Sequence, residues 1–208
     1  MLSLIEFIAV VASCLFGILQ ARRFGMDFLG VFTVAFATAF GGGTLRDVLL
    51  SRQPLFWIQN EHYLIVVFVL TLLTCFIPKI PTRVRKMLVI PDALGLALFS
   101  VVGTEYALIA GTGWFTAVLF GVITGSFGGV ISDVLCNQVP TLFRSAPLFA
   151  TVSFAGGWVY VFVKQLPLQP FVPTLVAFLF IFVFRLIAVY FEIHLPTHHD
   201  DPEEPGAS

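Results

Sequence analysis

Four acids interrupt an otherwise apolar chain: Glu6, Asp47, Asp92 and Asp133. A carboxylate near the centre of a membrane helix costs roughly 2.5–3.5 kcal/mol on insertion scales, so it faces a cavity or a partner. Two of the four follow glycine clusters, Gly41-Gly42-Gly43-x-x-Arg46-Asp47 and Gly128-Gly129-x-x-Ser132-Asp133, with Thr38 and Thr124 one turn ahead. Hydroxyls and glycine carbonyls set between acidic mouths attract and partly rehydrate a cation while repelling anions. The competing reading is structural, with Asp47 and Asp133 capping loops or pairing with Arg46, Arg52 or Arg144. Adjacent helical residues point to different faces, so Arg46 is expected to reach across the molecule rather than pair with Asp47. Glu105 and Arg185 are further ions within apolar runs, either paired with each other or facing the interior. His62, His194, His198 and His199 lie at run ends or in the tail, and Cys14, Cys75 and Cys136 form no metal-binding pattern. Neither enzyme chemistry nor a cofactor or metal is expected.

The elements that carry these residues follow from composition. The 208 residues are 58% hydrophobic and 11% charged, with 24 Phe and a net charge of −1. A soluble domain is about 25% charged, so this is the composition of an integral membrane protein; without a basic block, nucleic acid is not an expected partner. A membrane-crossing helix needs about 20 apolar residues. Seven stretches qualify, at 2–21, 26–50, 62–78, 88–110, 113–137, 147–164 and 170–192. The first stretch ends, rather than begins, with Arg22-Arg23, the reverse of a cleavable signal peptide, and is expected to remain as a helix. The polar residues 196–208 read as a disordered tail.

Positive charge sets orientation. Arg22, Arg23, Lys79, Arg83, Arg85, Lys86 and Arg144 fall on one side, and Arg46, Arg52 and Lys164 on the other. The seven-residue group belongs in the cytoplasm, with the N-terminus outside and the acidic tail inside. The basic loop 79–86 also suits contact with anionic lipid headgroups.

The chain matches itself at an offset of 86 residues: 4–57 align with 90–143 without a gap, with ten identities that include Gly17/Gly103, Gly25/Gly111, Thr38/Thr124, Gly42/Gly128, Gly43/Gly129 and Asp47/Asp133. Glu6 falls on Asp92 and Arg46 on Ser132. Each repeat, about 2–80 and 88–166, holds three spans. An odd number inverts the second copy, leaving the seventh helix (about 170–192) outside the repeat. Inverted repeats of this kind build a path near the membrane midplane where helices break. Asp47 and Glu6 then sit at the outer mouth, Asp133 and Asp92 at the inner one. Ala35, Ala39 and Gly43 mirror Gly121, Gly125 and Gly129 at four-residue spacing, a packing ridge. Gly41 and Gly42 lie off that ridge, and a kink or unwound turn is expected there.

The segments Ala39-Phe-Gly41-Gly42-Gly43-Thr44-Leu45-Arg46-Asp47-Val48-Leu49-Leu50 and Gly128-Gly129-Val-Ile-Ser132-Asp133-Val134-Leu135 resemble the two signatures of the prokaryotic trimeric intracellular cation (TRIC) channel family. Ala21-Arg22-Arg23-x-Gly25-Met26-Asp27 and Asp92-Ala-Leu-Gly95-Leu-Ala-Leu-Phe99 carry the likeness further. The resemblance implies an all-α membrane protein of seven helices in two inverted three-helix repeats plus a seventh, a homotrimer in the bacterial inner membrane, and a pore permeable to K⁺ and Na⁺ within each protomer, formed mainly by spans one, two, four and five. In related bacterial sequences the second signature often reads Gly-Gly-x-x-Arg-Asp, with Arg where Ser132 stands here. The same domain has also been labelled a glycine transporter, which keeps a carrier of glycine or another small zwitterion as the alternative.

Overall fold

The computed structural model describes residues 2–77, 88–144 and 147–194. The basic stretch 79–86 and the tail 196–208 lie outside the described residues. Among the described residues there are eight α-helices: α1 (Leu2–Arg23), α2 (Phe28–Leu49), the one-turn α3 (Phe56–Gln59), α4 (Glu61–Cys75), α5 (Val89–Ile109), α6 (Trp114–Leu135), α7 (Ala150–Lys164) and α8 (Val172–Tyr190). A 3₁₀ turn at Thr141–Phe143 follows α6. Five helices (α1, α2, α5, α6 and α8) are long and apolar enough to cross a membrane; a 22-residue helix such as α1 is ~33 Å long. The remaining long helices, α4 and α7, have 15 residues each.

The helix ends follow local chemistry. Asp27 caps α2 by accepting from Gly30 N at 2.8 Å, satisfying one of the orphan amides of a helix N-terminus. Arg22, in the last turn of α1, donates to Thr74 O at 2.8 Å and also to Ile77 O, carbonyls at the end of α4. The chain reverses after α1 and α5 at Gly25 and Gly111, whose φ of +68° and +80° fall in the left-handed region that glycine enters without steric cost. Helices α2 and α6 close alike: Ser51 and Asn137 take φ of 53° and 54°, and Arg52 N donates to Asp47 O at 2.8 Å while Gln138 N donates to Asp133 O at 2.9 Å. These are Schellman-type ends.

Helices α1, α2, α5 and α6 form the centre, with α4 against α1 and α2, α7 against α5 and α6, and α8 against α5 and α7. Small residues bring the central helices together. A Cβ on Gly17 would lie 2.6 Å from Thr38 Oγ1, and one on Gly103 would collide with Thr124 Oγ1. Between α2 and α6 the contact is reciprocal: a Cβ on Gly42 would strike the carbonyl of Thr124, and one on Gly128 the carbonyl of Thr38. Such approach is how helices associate where lipid removes the hydrophobic drive. The unwound turn expected at the glycines is absent: α2 and α6 run unbroken through Gly41–Gly43 and Gly128–Gly129. Glycine is needed at Gly42 and Gly128 for lack of a side chain, not for backbone freedom. The anticipated ridge divides: Gly121 and Gly125 abut Ser100 on α5, Gly43 abuts the Phe56 ring, and Gly129 faces open space.

Candidate functional site

The four acids fall into two clusters. At one end, Arg46 on α2 is fully buried (0% exposed), with Glu6 at 2% and Asp47 at 1%. Arg46 Nε donates to Asp47 Oδ1 at 2.9 Å, and its Nη2 lies 3.1 Å from Glu6 Oε1. Arg52 Nη1 donates to the same Asp47 oxygen at 2.9 Å, and Phe56 N donates to Oδ2 at 2.8 Å. The Tyr106 ring lies against both guanidinium groups, 4.5 Å from that of Arg46 and 3.7 Å from that of Arg52, while its hydroxyl donates to Glu6 Oε2 at 3.2 Å. Burial of this kind is sustainable only because each charge is paired. Two expectations are corrected here. Arg46 does pair with Asp47, because a long guanidinium side chain folds back beside its neighbour where two short side chains would diverge. Glu6 and Asp47 do not edge an open mouth; they are consumed in this plug.

The other cluster surrounds a hollow. Asp133 Oδ1 accepts from Gln20 Nε2 at 2.6 Å, and Oδ2 accepts from Thr141 N and Oγ1 at 2.7 and 3.0 Å. Ser132, in register with Arg46, donates to Gln20 Oε1 at 3.2 Å. Asp92 is held by Arg185, whose Nε and Nη2 lie 3.2 and 3.0 Å from Oδ2. Asp92, Asp133 and Arg185 are the charged groups lining a cavity of about 230 Å³ walled otherwise by residues such as Phe16, Ser126, Gly129, Thr141 and Phe149. Phe16, Asp92, Gly129 and Phe149 also line a narrower cavity of about 20 Å³, which adds Ser13, Thr38, Thr124 and Gly128. That is space for about one water. Thr38 Oγ1 donates to Val34 O and Thr124 Oγ1 to Phe120 O, each at 2.6 Å. With their protons so committed, both hydroxyls offer the neck lone pairs alone.

The structure thus brings Thr38, Thr124, Gly128, Gly129, Asp92 and Asp133 to two neighbouring cavities that share Phe16, Asp92, Gly129 and Phe149, with Ser132 buried beside them. Glu6, Arg46 and Asp47 belong to the plug, and Gly41, Gly42 and Gly43 to helix contacts, with Ile131, Thr124 and Phe56 respectively. Glu105 and Arg185 do not meet. Glu105 takes the Lys164 ammonium and the Tyr160 hydroxyl. Gln20 and Arg185 were not placed at the site by sequence reasoning. Gln20 had a signal: it is in register with Tyr106, and each donates to an acid of its own end.

Comparison with known proteins gives this arrangement a family. The family described as glycine transporter matches twice, over residues 3–79 and 89–165. An inner membrane protein of Escherichia coli K12, YadS of the UPF0126 group, is 35% identical over 201 residues, covering 93% of this chain and 96% of its own. A UPF0126 membrane protein of Vibrio cholerae is 35% identical over 198 residues, covering 95% of this chain and 82% of its own. Among solved structures, the TRIC channel orthologue of Rhodobacter sphaeroides superposes with a TM-score of 0.85 at 29% identity, covering 91% of this chain and 97% of its own. A further TRIC cation channel, solved to explain conductance, gives 0.86 at 32% identity, covering 95% and 97%. On these grounds the chain belongs to the glycine-transporter-described UPF0126 family, the family of the prokaryotic TRIC channels.

Proposed function

We propose that this protein is a channel for monovalent cations, K⁺ above Na⁺, with its path inside each protomer. The observation that carries the reading is a pair of neighbouring cavities, a wider one lined by Asp92 and Asp133 and a neck lined by Thr38, Thr124 and Gly128, with Asp92 and Gly129 in the wall of both. Carboxylates at the wide part concentrate cations, and hydroxyl lone pairs at the neck replace part of their hydration. The charged donor on that surface, Arg185, is already engaged with Asp92 and two carbonyls. The Arg46 plug closes the far end in this conformation, so conduction requires that cluster to part.

The architecture that goes with this function is seven spanning helices (α1, α2, α4, α5, α6, α7 and α8) in two inverted repeats plus α8, with the N-terminus outside and the Asp133 end facing the cytoplasm. It is supported by the double family match 86 residues apart, by the paired turns at Gly25 and Gly111, and by the reciprocal contacts of Gly42 and Gly128. Residence in a bacterial inner membrane is supported by YadS, and assembly as a homotrimer by the trimeric description of the R. sphaeroides orthologue. The family description favours a second reading, a carrier of glycine or another small zwitterion. A neck with room for about one water argues for an ion instead.

Purified protein in a planar bilayer under a KCl gradient separates the two. Unitary currents reversing near the K⁺ potential are expected; electrical silence with saturable glycine uptake overturns the channel. Asp133→Asn is expected to lower cation-over-anion selectivity, and an unchanged reversal potential removes Asp133 from the path.

A further inference from the structure

The two ends of the central helices differ by one substitution in register. Arg46 neutralises the acids of its end from within α2, whereas the matching position on α6 is Ser132, which carries no charge. A guanidinium nevertheless reaches the Asp133 end, delivered by α8. Arg185 is 6% exposed and makes contacts on three sides. Nε and Nη2 hold Asp92 Oδ2, Nη1 donates to Pro147 O at 2.9 Å and Leu148 O at 3.1 Å, and the Phe149 ring lies 4.6 Å from Cζ. It belongs to the wall of the larger cavity, whose charged lining is Asp92, Asp133 and Arg185.

We infer that Arg185 is a tethered counter-ion of the permeation path: it occupies one of the two cation positions that Asp92 and Asp133 create, so the vestibule holds one net negative charge and draws one mobile cation at a time. The inference rests on the channel reading. The guanidinium is fixed in place, since its Nη1 is bound to the Pro147 and Leu148 carbonyls. Permeant ions therefore meet a vestibule of intermediate attraction, negative enough to exclude anions and not so negative that a cation is trapped, the balance that conduction demands. A purely mechanical anchor would have the same bonds but no influence on ion flow beyond its effect on folding.

The test is a charge series in planar bilayers at pH 8, recorded at about 50 mM and about 1 M KCl. Wild type carries a vestibule charge of −1, Arg185→Gln about −2, Asp92→Asn about 0, and the double variant about −1 again, by charge counting. At low salt, Arg185→Gln is expected to raise unitary K⁺ conductance roughly two- to fivefold, Asp92→Asn to lower it by a similar factor, and the double variant to return to the wild-type value. At about 1 M salt, where the Debye length is ~3 Å, the differences should shrink below about 1.5-fold. Arg185→Lys keeps the charge with fewer bonds and should conduct as wild type at both salts. It also stands in should Arg185→Gln fail to fold, because loss of conductance in a folded Arg185→Lys protein overturns the inference. So does a series in which both single variants move conductance in the same direction, or in which the change survives high salt. If wild type passes no cation current, the channel reading falls and takes this inference with it; if wild type conducts and the series is out of order, only the inference falls.

Discussion

Gly42→Ala and Gly129→Ala differ by one methyl group each from the same parent and are expected to shift stability in opposite directions. In an uninterrupted helix, alanine is favoured over glycine by about 1 kcal/mol, and both positions lie well inside α2 and α6. At Gly129 nothing lies within 4 Å of the added carbon, so that gain is realised, as a stabilisation of up to about 1 kcal/mol. At Gly42 the added carbon meets a carbonyl of α6, with Thr124 C at 3.0 Å and its oxygen closer still. Backbone cannot swing aside as a side chain would, so restoring an ordinary carbon–oxygen separation of ~3.3 Å from the nearer oxygen moves α6 outward by about 1 Å, a gap that forfeits about half of each dispersion contact along the interface. Overpacking of this severity costs about 3 kcal/mol, and subtracting the helix-propensity gain leaves about 2 kcal/mol of destabilisation, a factor of about 30 in the unfolding equilibrium. Unfolding titrations of the purified protein in mixed micelles, followed by circular dichroism, measure both variants on one scale. Equal destabilisation by the two would show that these glycines act as hinges, and the account of α2–α6 contact would be wrong.

Arg46→Ala leaves Glu6 and Asp47 buried without their partner and is expected to cost 3–5 kcal/mol. Arg52→Ala removes a side chain that is 31% exposed, where pairing contributes about 1 kcal/mol or less; the same titrations compare them, and equal losses would refute the plug. Gly25→Ala and Gly111→Ala place a side chain at positive φ in open space, so each should cost about 1 kcal/mol from backbone strain alone. A large loss at one with none at the other would deny these turns a common role.

The apolar stretches were legible because a helix in lipid must be apolar along its whole length, so α1, α2, α5, α6 and α8 are found where uninterrupted hydrophobic runs lie. The offset of 86 was legible because glycines at helix contacts and αL turns admit few replacements: Gly25 and Gly111 share a left-handed turn, and Gly42 and Gly128 share a contact. Glycine spacing alone did not separate a bend from a close approach, since both exclude a side chain and only the neighbour's position decides. The Arg46–Asp47 pair was illegible because helical-wheel reasoning treats a side chain as a direction, whereas arginine is long enough to return to its own side. Asp92 and Arg185 stand 93 residues apart on helices with no shared pattern, and only packing of α8 against α5 makes them neighbours. Gln20 escaped for a simpler reason: one amide near the end of an apolar run resembles any residue emerging into the headgroup region.

Near-equivalent backbones at the two ends carry unlike interiors, and the cause can be traced to position 46 and its counterpart 132. With arginine, the end fills: one guanidinium joins Glu6 to Asp47, two aromatic rings flank it, and no exposed surface remains on Arg46. With serine, the helix end is the same Schellman turn, but the side chain stops short and bonds to Gln20, so the space beyond stays hollow and Asp133 turns to Thr141 for its donors. The charge that arginine would have supplied is then missing beside two acids, and burying both without a cation nearby is costly. Arg185 relieves that cost from a helix outside the repeat. One serine where the other matched segment has arginine, and one arginine supplied by α8, go with one end that is packed solid around ion pairs and another that keeps a cavity.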